Sequence, residues 1–170
     1  MAEKKLVRKA CKLKEPLSCL GTSSSSTAQQ RWPLQELLNE TVNEAAGERQ
    51  PPNENLLSSL EVESSWGTHL DDSLVEWAFG LFERNMRQLY ARSNWGWEPK
   101  EKRAELQSST SRFLLVRSAS GHRPIAFCHY RFVVDAGQPV LYCYELQVEE
   151  AYWRRGVASA LVGILERLAK

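Results

Sequence analysis

The stretch VLYCYELQVEEAYWRRGVAS, residues 140–159, decides the fold that this sequence predicts. Residues 140–148 form a long apolar and aromatic run, which predicts a β-strand. RRGVA at 154–158 is a basic glycine loop, and an apolar stripe with helical spacing follows it to residue 168. A strand, a glycine loop and a helix in this order present backbone N–H groups to a phosphate, so a diphosphate is the expected guest. The structural alternative is a plain turn with two solvated arginines.

The segments before this stretch predict helices and strands in separate blocks. Residues 73–93 carry apolar side chains at helical spacing, and Ser73 with Glu76 predicts a capping box at their start. Residues 100–107 suit a second, more polar helix. Apolar runs separated by short turns predict three antiparallel strands, at 112–117, 124–134 and 140–148. The expected fold class is therefore α+β.

A single folded domain is expected over residues 56–170, after a largely disordered, basic and Ser-rich region over residues 1–55. Within that region, residues 33–46 predict one amphipathic helix. Residues 1–14 form a basic arm, most simply a solvated tail. The alternatives are a nuclear-import or nucleic-acid-contacting segment and an organelle transit peptide. The net charge of +1 does not identify a nucleic acid or a membrane as a partner.

The four cysteines are not spaced as a zinc pair and follow no secretory signal, so neither a metal site nor structural disulfides are expected. Cys128 and Cys143 lie in apolar runs and are expected to be small core residues. No apolar run approaches the length of a membrane span.

Glu145 is the candidate catalytic residue, because a carboxylate inside an apolar strand is costly to bury unless it is paired or functional. Strict alternation along the strand places Tyr142 and Tyr144 on one face, and Glu145 with Cys143 and Gln147 on the other. A buried carboxyl group tends to have a raised pKa, which suits a general base that takes a proton from an amine near neutral pH.

The structural alternative for Glu145 is an ion pair with Arg131 or His129 across the hairpin. His129 itself is expected to be a satisfied core side chain. Tyr90 and WGW at 95–97 form an aromatic cluster at a helix end, which predicts either a hydrophobic lid over the sheet or the wall of a substrate pocket.

Several segments of the chain resemble the histone-specific N-terminal acetyltransferases of the NatD family, in the GCN5-related N-acetyltransferase (GNAT) superfamily. The resemblance covers residues 75–169, through VEWAF at 75–79, NM at 85–86, SNWGWEPKEKR at 93–103, PIAFCHYRF at 124–132, VLYCYELQVE at 140–149 and RRGVA at 154–158. It implies a GNAT-type acyl-CoA N-acyltransferase fold. It also implies direct acetyl transfer from acetyl-CoA, without a metal, to the α-amine of histone N-terminal peptides that begin Ser-Gly-Arg-Gly.

The resemblance also implies a role for each matching residue. Glu145 is the implied general base, directly or through water, and Tyr144 positions the amine and protonates the leaving thiolate. The implied peptide pocket is lined by Tyr90, Trp95 and Tyr142. The pantetheine arm is expected to meet backbone groups of Leu146, Gln147 and Val148. The implied pyrophosphate site comprises Arg154, Arg155, Gly156, Val157, Ala158 and Ser159.

Three departures from the family pattern qualify this expectation. Trp153 replaces a Gln or Arg of the superfamily loop, and Arg154 is expected to supply that charge. Val133 replaces an acidic residue that meets the substrate arginine, and Asp135 is the candidate substitute. The chain matches only the N-terminal part of a GNAT domain, so the expected fold lacks the C-terminal strands and helix.

Two alternative functions therefore stand beside the transferase. One is a catalytically incompetent binding or regulatory fragment, and the other is a GNAT with another peptide or lysine substrate. The expected protein is a monomer of the nucleus and cytoplasm, without membrane contact and without nucleic-acid binding beyond a weak basic arm.

Overall fold

The computed structural model describes residues 9–12, 36, 56, 59–94, 96–120 and 122–170. Most of the predicted disordered region at 1–55 therefore lies outside the described residues. The same holds for the predicted helix at 33–46, of which only Glu36 is described, as helical. Trp95, a predicted pocket residue, also lies outside the described residues.

The strands and helices follow the order that the sequence predicts from residue 73 onward. The strands are β1 (Lys9–Lys12), β2 (Leu60–Trp66), β3 (Arg112–Ser118), β4 (Pro124–Asp135) and β5 (Gln138–Val148). The principal helices are α1 (Asp72–Ala91), α2 (Pro99–Leu106) and α3 (Val157–Leu168). β1 and β2 were not predicted; β2 has the sequence LEVESSW, whose two glutamates and two serines interrupt the apolar pattern of a strand.

The strands form one sheet in the order β1-β5-β4-β3-β2, and every pairing is antiparallel. Ala136 and Gly137 connect β4 to β5, both with positive φ, as a tight hairpin turn requires. β1 pairs only with the first part of β5, through the partners of Val140 to Cys143. Within the described residues, the outer edge of β5 from Tyr144 onward is therefore open.

Each face of the sheet carries its own apolar core. α3 covers one face, where the core includes Leu114, Cys128, Leu141, Cys143, Leu161 and Ile164. α1 and α2 cover the other face, where the core includes Phe79, Phe82, Phe113, Leu115 and Phe127. The prediction that Cys128 and Cys143 are core residues is confirmed, because both thiols are free and buried.

The start of α1 differs from the predicted capping box. The N-cap residue is Asp71, whose carboxylate accepts a hydrogen bond from the backbone N–H of Leu74 (Oδ1···N 2.8 Å). Ser73 lies inside the first turn, and its hydroxyl donates to the same carboxylate. The prediction of a Ser73 cap was wrong because an acidic residue two positions earlier already satisfies the helix N-terminus.

A β-bulge in β5 is the feature that positions the site. Glu145 pairs with His129 of β4, but the next β4 residue, Tyr130, pairs with Cys143. Tyr144 is therefore an extra residue in β5, and the alternation of side chains shifts by one position there. The prediction from strict alternation was wrong: Tyr142, Tyr144 and Glu145 share the face of α1 and α2, whereas Cys143 faces α3.

Candidate active site

The carboxylate of Glu145 lies below α1 and α2 and is almost fully buried, with 4% of the residue exposed. Its Oε1 accepts hydrogen bonds from Lys102 Nζ (2.9 Å) and from the Tyr90 hydroxyl (3.2 Å). Its Oε2 accepts one from the side-chain amide of Gln147 (3.1 Å). The donors come from α1, from α2 and from β5 itself, so the tertiary fold fixes the orientation of the carboxylate.

Lys102 is the partner of Glu145, and the sequence did not single it out. It lies in α2, within the run EPKEKRAEL of mostly charged residues, which is typical of a solvated helix. Only 7% of Lys102 is exposed, and its ammonium bonds both Glu145 and Glu105 (3.1 Å). Burial lowers the pKa of Lys102, but the two carboxylates outweigh burial, so the pKa lies above its ordinary value and the ammonium stays charged.

The ion pair predicted as the structural alternative thus exists, but its cation is neither Arg131 nor His129. His129 is fully buried, and burial together with the charges of Arg131 and Lys102 lowers its pKa to about 3. Its ring is therefore neutral at physiological pH, and the 3.5 Å approach of Nδ1 to Glu105 is not an ion pair. Nε2 lies 3.0 Å from the Ser111 hydroxyl, but the buried Nδ1 has no hydrogen-bond partner among the described residues. The prediction of a core histidine is therefore confirmed, whereas the prediction that it is satisfied holds only for Nε2.

Tyr142 and Tyr144 form the wall of the site on the β5 side. Their ring centroids are 5.0 Å apart, and the Tyr144 ring lies 5.3 Å from the His129 ring. The guanidinium of Arg131 lies over the Tyr144 ring at 4.8 Å. Tyr144 therefore sits one residue from Glu145, on the same face, with a fixed cation beside its ring.

The aromatic cluster between α1 and α2 lines a cavity of about 160 Å³. Trp97 stacks on Phe82, and Tyr90 meets both rings edge-on. The lining residues are Phe82, Tyr90, Gly96, Trp97, Glu98, Glu101, Lys102 and Glu105. The cluster is thus a pocket wall as well as a lid, and Tyr90 and Lys102 connect the pocket to the carboxylate of Glu145.

Asp135 lies far from the other predicted site residues. It is exposed at the tip of the β4–β5 hairpin, paired with Gln138. Glu145 pairs with His129, six residues earlier in β4, and a strand rises about 3.3 Å per residue, so roughly 20 Å of strand separates the two positions. A residue bound at Glu145 does not reach Asp135 without an extended peptide between them.

The loop before α3 has the geometry of an anion site. Arg154 and Gly156 both adopt left-handed backbone conformations, with φ of 58° and 86°. Such a conformation costs a non-glycine residue about 1 kcal/mol, and it turns successive N–H groups to one side. Within the part of the chain that the structure describes, no side chain caps the N-terminus of α3, so a capping residue does not satisfy the first N–H groups of that helix.

Trp153 departs from the expected loop pattern. Its side chain links this loop to β5. Its indole N–H donates to the backbone carbonyl of Val148 (2.7 Å), and the Asn85 amide donates to the same carbonyl (3.3 Å). The Glu149 N–H donates to Ile125, and antiparallel bonds alternate. Leu146 and Val148 therefore direct backbone groups to the open edge, whereas the backbone of Gln147 faces β4.

Comparison with known proteins identifies the family of this arrangement. The model of the acetyltransferase (GNAT) family matches residues 73–170, which span the site and most of the sheet. The chain belongs to the GNAT acetyltransferase family. The predicted GNAT fold with an antiparallel sheet and helices is confirmed.

Two solved structures illustrate the similarity. An aminoglycoside acetyltransferase from an uncultured soil metagenomic sample has 23% identity and a TM-score of 0.45, over 65% of this chain and 71% of that one. A GCN5-related glucosamine N-acetyltransferase region in a fungal multi-domain GH3 β-N-acetylglucosaminidase has 15% identity and a TM-score of 0.48, over 65% of this chain. The match spans 12% of that fungal protein.

GNAT enzymes take the acetyl group from acetyl-CoA, and the residues present fit this cosubstrate. The uncapped N-terminus of α3 and the two loop arginines suit its pyrophosphate. The open edge at Leu146 and the N–H of Val148 suit its amide-containing arm, whereas the Val148 carbonyl already accepts from Trp153 and Asn85. In the part of the chain that the structure describes, no helix is long and apolar enough to cross a membrane, and no group of three or more side chains is placed to hold a metal ion.

Proposed function

We propose that this GNAT protein is an N-terminal α-amino acetyltransferase of the NatD type. Its proposed substrates are histone N-terminal peptides that begin Ser-Gly-Arg-Gly. The observation that carries the proposal is the bulge at Tyr144, which gathers Tyr142, Tyr144 and Glu145 on one face of β5. The side chain of Tyr144 and the buried carboxylate of Glu145 thus lie on the same face of β5, next to the strand edge that suits the cosubstrate.

In the proposed chemistry, Glu145 accepts a proton and Tyr144 donates one. The α-ammonium group first releases one proton to solvent, and Glu145 then takes a second proton from the neutral amine, directly or through one water, while the new N–C bond forms. The C–S bond to coenzyme A breaks, and the Tyr144 hydroxyl gives a proton to the departing sulfur. General acid and base catalysis of this kind contributes about 10²- to 10⁴-fold each.

The cosubstrate is held at the other end of the strand. Arg154 and Arg155 lie exposed beside the loop whose N–H groups converge before α3, and they supply positive charge for the pyrophosphate. Arg154 takes the place of the basic or amide residue that Trp153 displaces. Acetyl-CoA supplies the acetyl group as an activated thioester.

The peptide is proposed to enter over the pocket formed by the aromatic cluster. Phe82, Tyr90 and Trp97 provide an apolar wall, and the rim carries Glu98 and Glu101. A basic histone N-terminus complements this rim. Asp135 lies far along the hairpin, so the rim glutamates are better placed than Asp135 to meet a substrate arginine near the amine.

The test is acetyl transfer by this chain to a peptide that begins Ser-Gly-Arg-Gly, with the modified amine located by mass spectrometry. The matched control is the same peptide with a blocked α-amine. Acetylation of the α-amine, and none of the blocked peptide, supports the proposal. Acetylation of lysine side chains in both peptides overturns the N-terminal specificity and favours a lysine acetyltransferase. Absence of transfer to either peptide favours a binding or regulatory role.

A further inference from the structure

Lys102 is a buried ionic residue that the proposed chemistry does not use, although it makes the shortest contact to Glu145. We propose that Lys102 is a positioning residue that fixes the Glu145 carboxylate through Oε1 and leaves Oε2 for the amine of the substrate. This inference rests on the proposed function, in which Glu145 is the general base. Lys102 itself touches neither the amine nor the acetyl group.

The hydrogen bonds of Glu145 identify the oxygen that remains available. Each carboxylate oxygen has two favourable acceptor positions. Oε1 fills both, with the ammonium of Lys102 and the hydroxyl of Tyr90. Among the described residues, Oε2 accepts one hydrogen bond, from the side-chain amide of Gln147. The free acceptor position is therefore on Oε2, and the cation on Oε1 decides which oxygen that is.

The environment of Lys102 holds its ammonium in place from three sides. Glu105 bonds the ammonium with both carboxylate oxygens at 3.1 Å. The rings of Phe82 and Tyr90 lie 4.9 and 5.9 Å from Nζ and add cation–π attraction. Glu105 is itself partly exposed, with 28% of its side chain accessible, so the network runs from the buried carboxylate to solvent.

Stability alone does not account for this arrangement. Desolvation offsets most of the attraction in a buried ion pair, and apolar residues of similar volume are often as stable or more stable. The rings of Phe82 and Tyr90 lie on one side of the Lys102 side chain, whereas the carboxylates of Glu105 and Glu145 bond its ammonium. We therefore assign the value of this charged pair to the position of the Glu145 carboxylate rather than to folding.

Other ionisable and polar groups also surround Glu145. Those that face it or lie next to it come from α1, α2, β4 and β5, and they are Tyr90, Lys102, Glu105, His129, Arg131, Tyr144 and Gln147. His129 is neutral, and Arg131 lies behind Tyr144. Lys102 is thus the cation in direct contact with the carboxylate.

The experiment compares two substitutions with a control on the same helix. Lys102→Met removes the charge and keeps the length, whereas Lys102→Arg keeps the charge. Lys100→Met is the matched control, because Lys100 lies exposed on α2 and does not line the pocket. For each protein, kcat, both KM values and the pH dependence of kcat/KM are measured with the preferred peptide.

Lys102→Met is expected to lower kcat at neutral pH roughly 10-fold or more, with little change in the KM for acetyl-CoA. The acid limb of its pH profile moves to higher pH, because a carboxylate without its cation holds a proton more tightly. Lys102→Arg restores the limb, and Lys100→Met matches the wild type. A kcat loss that is equal at every pH, with the limb unmoved, overturns the proposal and leaves Lys102 a purely structural residue.

A second measurement covers the case in which Lys102→Met does not fold. The interaction between two charges is mutual, so Glu145→Gln must lower the pKa of Lys102, which is followed by NMR of its side-chain nitrogen. An unchanged Lys102 titration overturns the proposal without any charge-removing variant at Lys102.

A third readout separates this inference from the proposed function. The infrared carbonyl stretch of a protonated carboxylic acid, assigned by its loss in the Glu145→Gln background, is expected to persist to higher pH in Lys102→Met than in the wild type. Failure of the wild type to acetylate any α-amine refutes the proposed function, whereas an unshifted infrared titration refutes the role of Lys102.

Discussion

The two faces of β5 differ in what they bury. On the face toward α3, the strand contributes Leu141 and Cys143 to an apolar core. On the face toward α1 and α2, it contributes Glu145 and Gln147, which are buried with Lys102 and His129 in a hydrogen-bonded network. One strand thus supports stability on one side and polar chemistry on the other. The comparison teaches that substitutions on the two faces should fail in different ways.

The largest expected effect is on the polar face, where Glu145→Gln removes the proposed base and keeps the shape. Acetyl transfer is expected to fall about 10²- to 10⁴-fold. Binding of acetyl-CoA, measured by calorimetry, is expected to stay unchanged. The exposed Glu150→Gln serves as the control and should keep wild-type turnover. Wild-type turnover by Glu145→Gln would remove Glu145 from the mechanism.

On the apolar face, Leu141→Ala is expected to reduce the free energy of unfolding by about 2–5 kcal/mol, because a fully buried leucine leaves a cavity. Denaturant titration measures the loss, and kcat below the unfolding transition should remain near that of the wild type. Val134→Ala, at a position 67% exposed, should change stability by less than about 0.5 kcal/mol. A kcat loss in folded Leu141→Ala contradicts the separation of the two faces.

The pH dependence of folding stability tests the polar face further, through His129. Its folded pKa of about 3 lies below the unfolded value, so the unfolded chain binds the extra proton between those two pH values. Stability should therefore be fully present above about pH 6.5 and fall by about 2 kcal/mol at pH 5. Thermal unfolding of wild type and His129→Phe at pH 7 and pH 5 measures this. A His129→Phe protein that loses as much stability as the wild type on acidification assigns the loss to other groups.

The smallest expected effect concerns the loop that follows β5. Trp153→Phe removes one hydrogen bond to the Val148 carbonyl and keeps an aromatic ring. The KM for acetyl-CoA should rise a few-fold, in line with about 1 kcal/mol for one hydrogen bond, with kcat little changed. Steady-state kinetics with varied acetyl-CoA decide this, and the half-buried neighbour Tyr152 is left unchanged. An unchanged KM shows that the loop holds its shape without the indole.

The sequence predicted those elements whose own residues show a clear pattern of buried and exposed positions. The strands β3, β4 and β5 appear as apolar runs, and the periodicity of α1 and α3 marks their buried faces. β2 was not predicted because its polar residues interrupt the apolar pattern of a strand. Pairing with β3 stabilises it instead. The N-cap of α1 was predicted wrongly because Asp71 and Ser73, which lie two residues apart, are both suitable capping residues.

The candidate site was predictable only in part, for a similar reason. Glu145 was conspicuous as a charge in an apolar run, but Lys102 was not, because a lysine among charged residues of a helix is normally solvated. Its burial depends on how α2 packs over β5, which is a long-range property. The bulge was also invisible, since no local pattern around Tyr144 breaks the alternation of apolar and aromatic side chains.

Because β5 contains one extra residue, the number of residues between Leu141 and Glu145 determines which side chains lie beside the carboxylate. The two halves of the strand are out of phase, and a single deletion in between brings them back into phase. Such a deletion would keep Glu145 opposite His129 but restore strict alternation, so Tyr144 would either be lost or turn to the face of α3, away from the carboxylate. Among relatives of this chain, a gap of one position in this interval is therefore a stronger sign of lost chemistry than most substitutions.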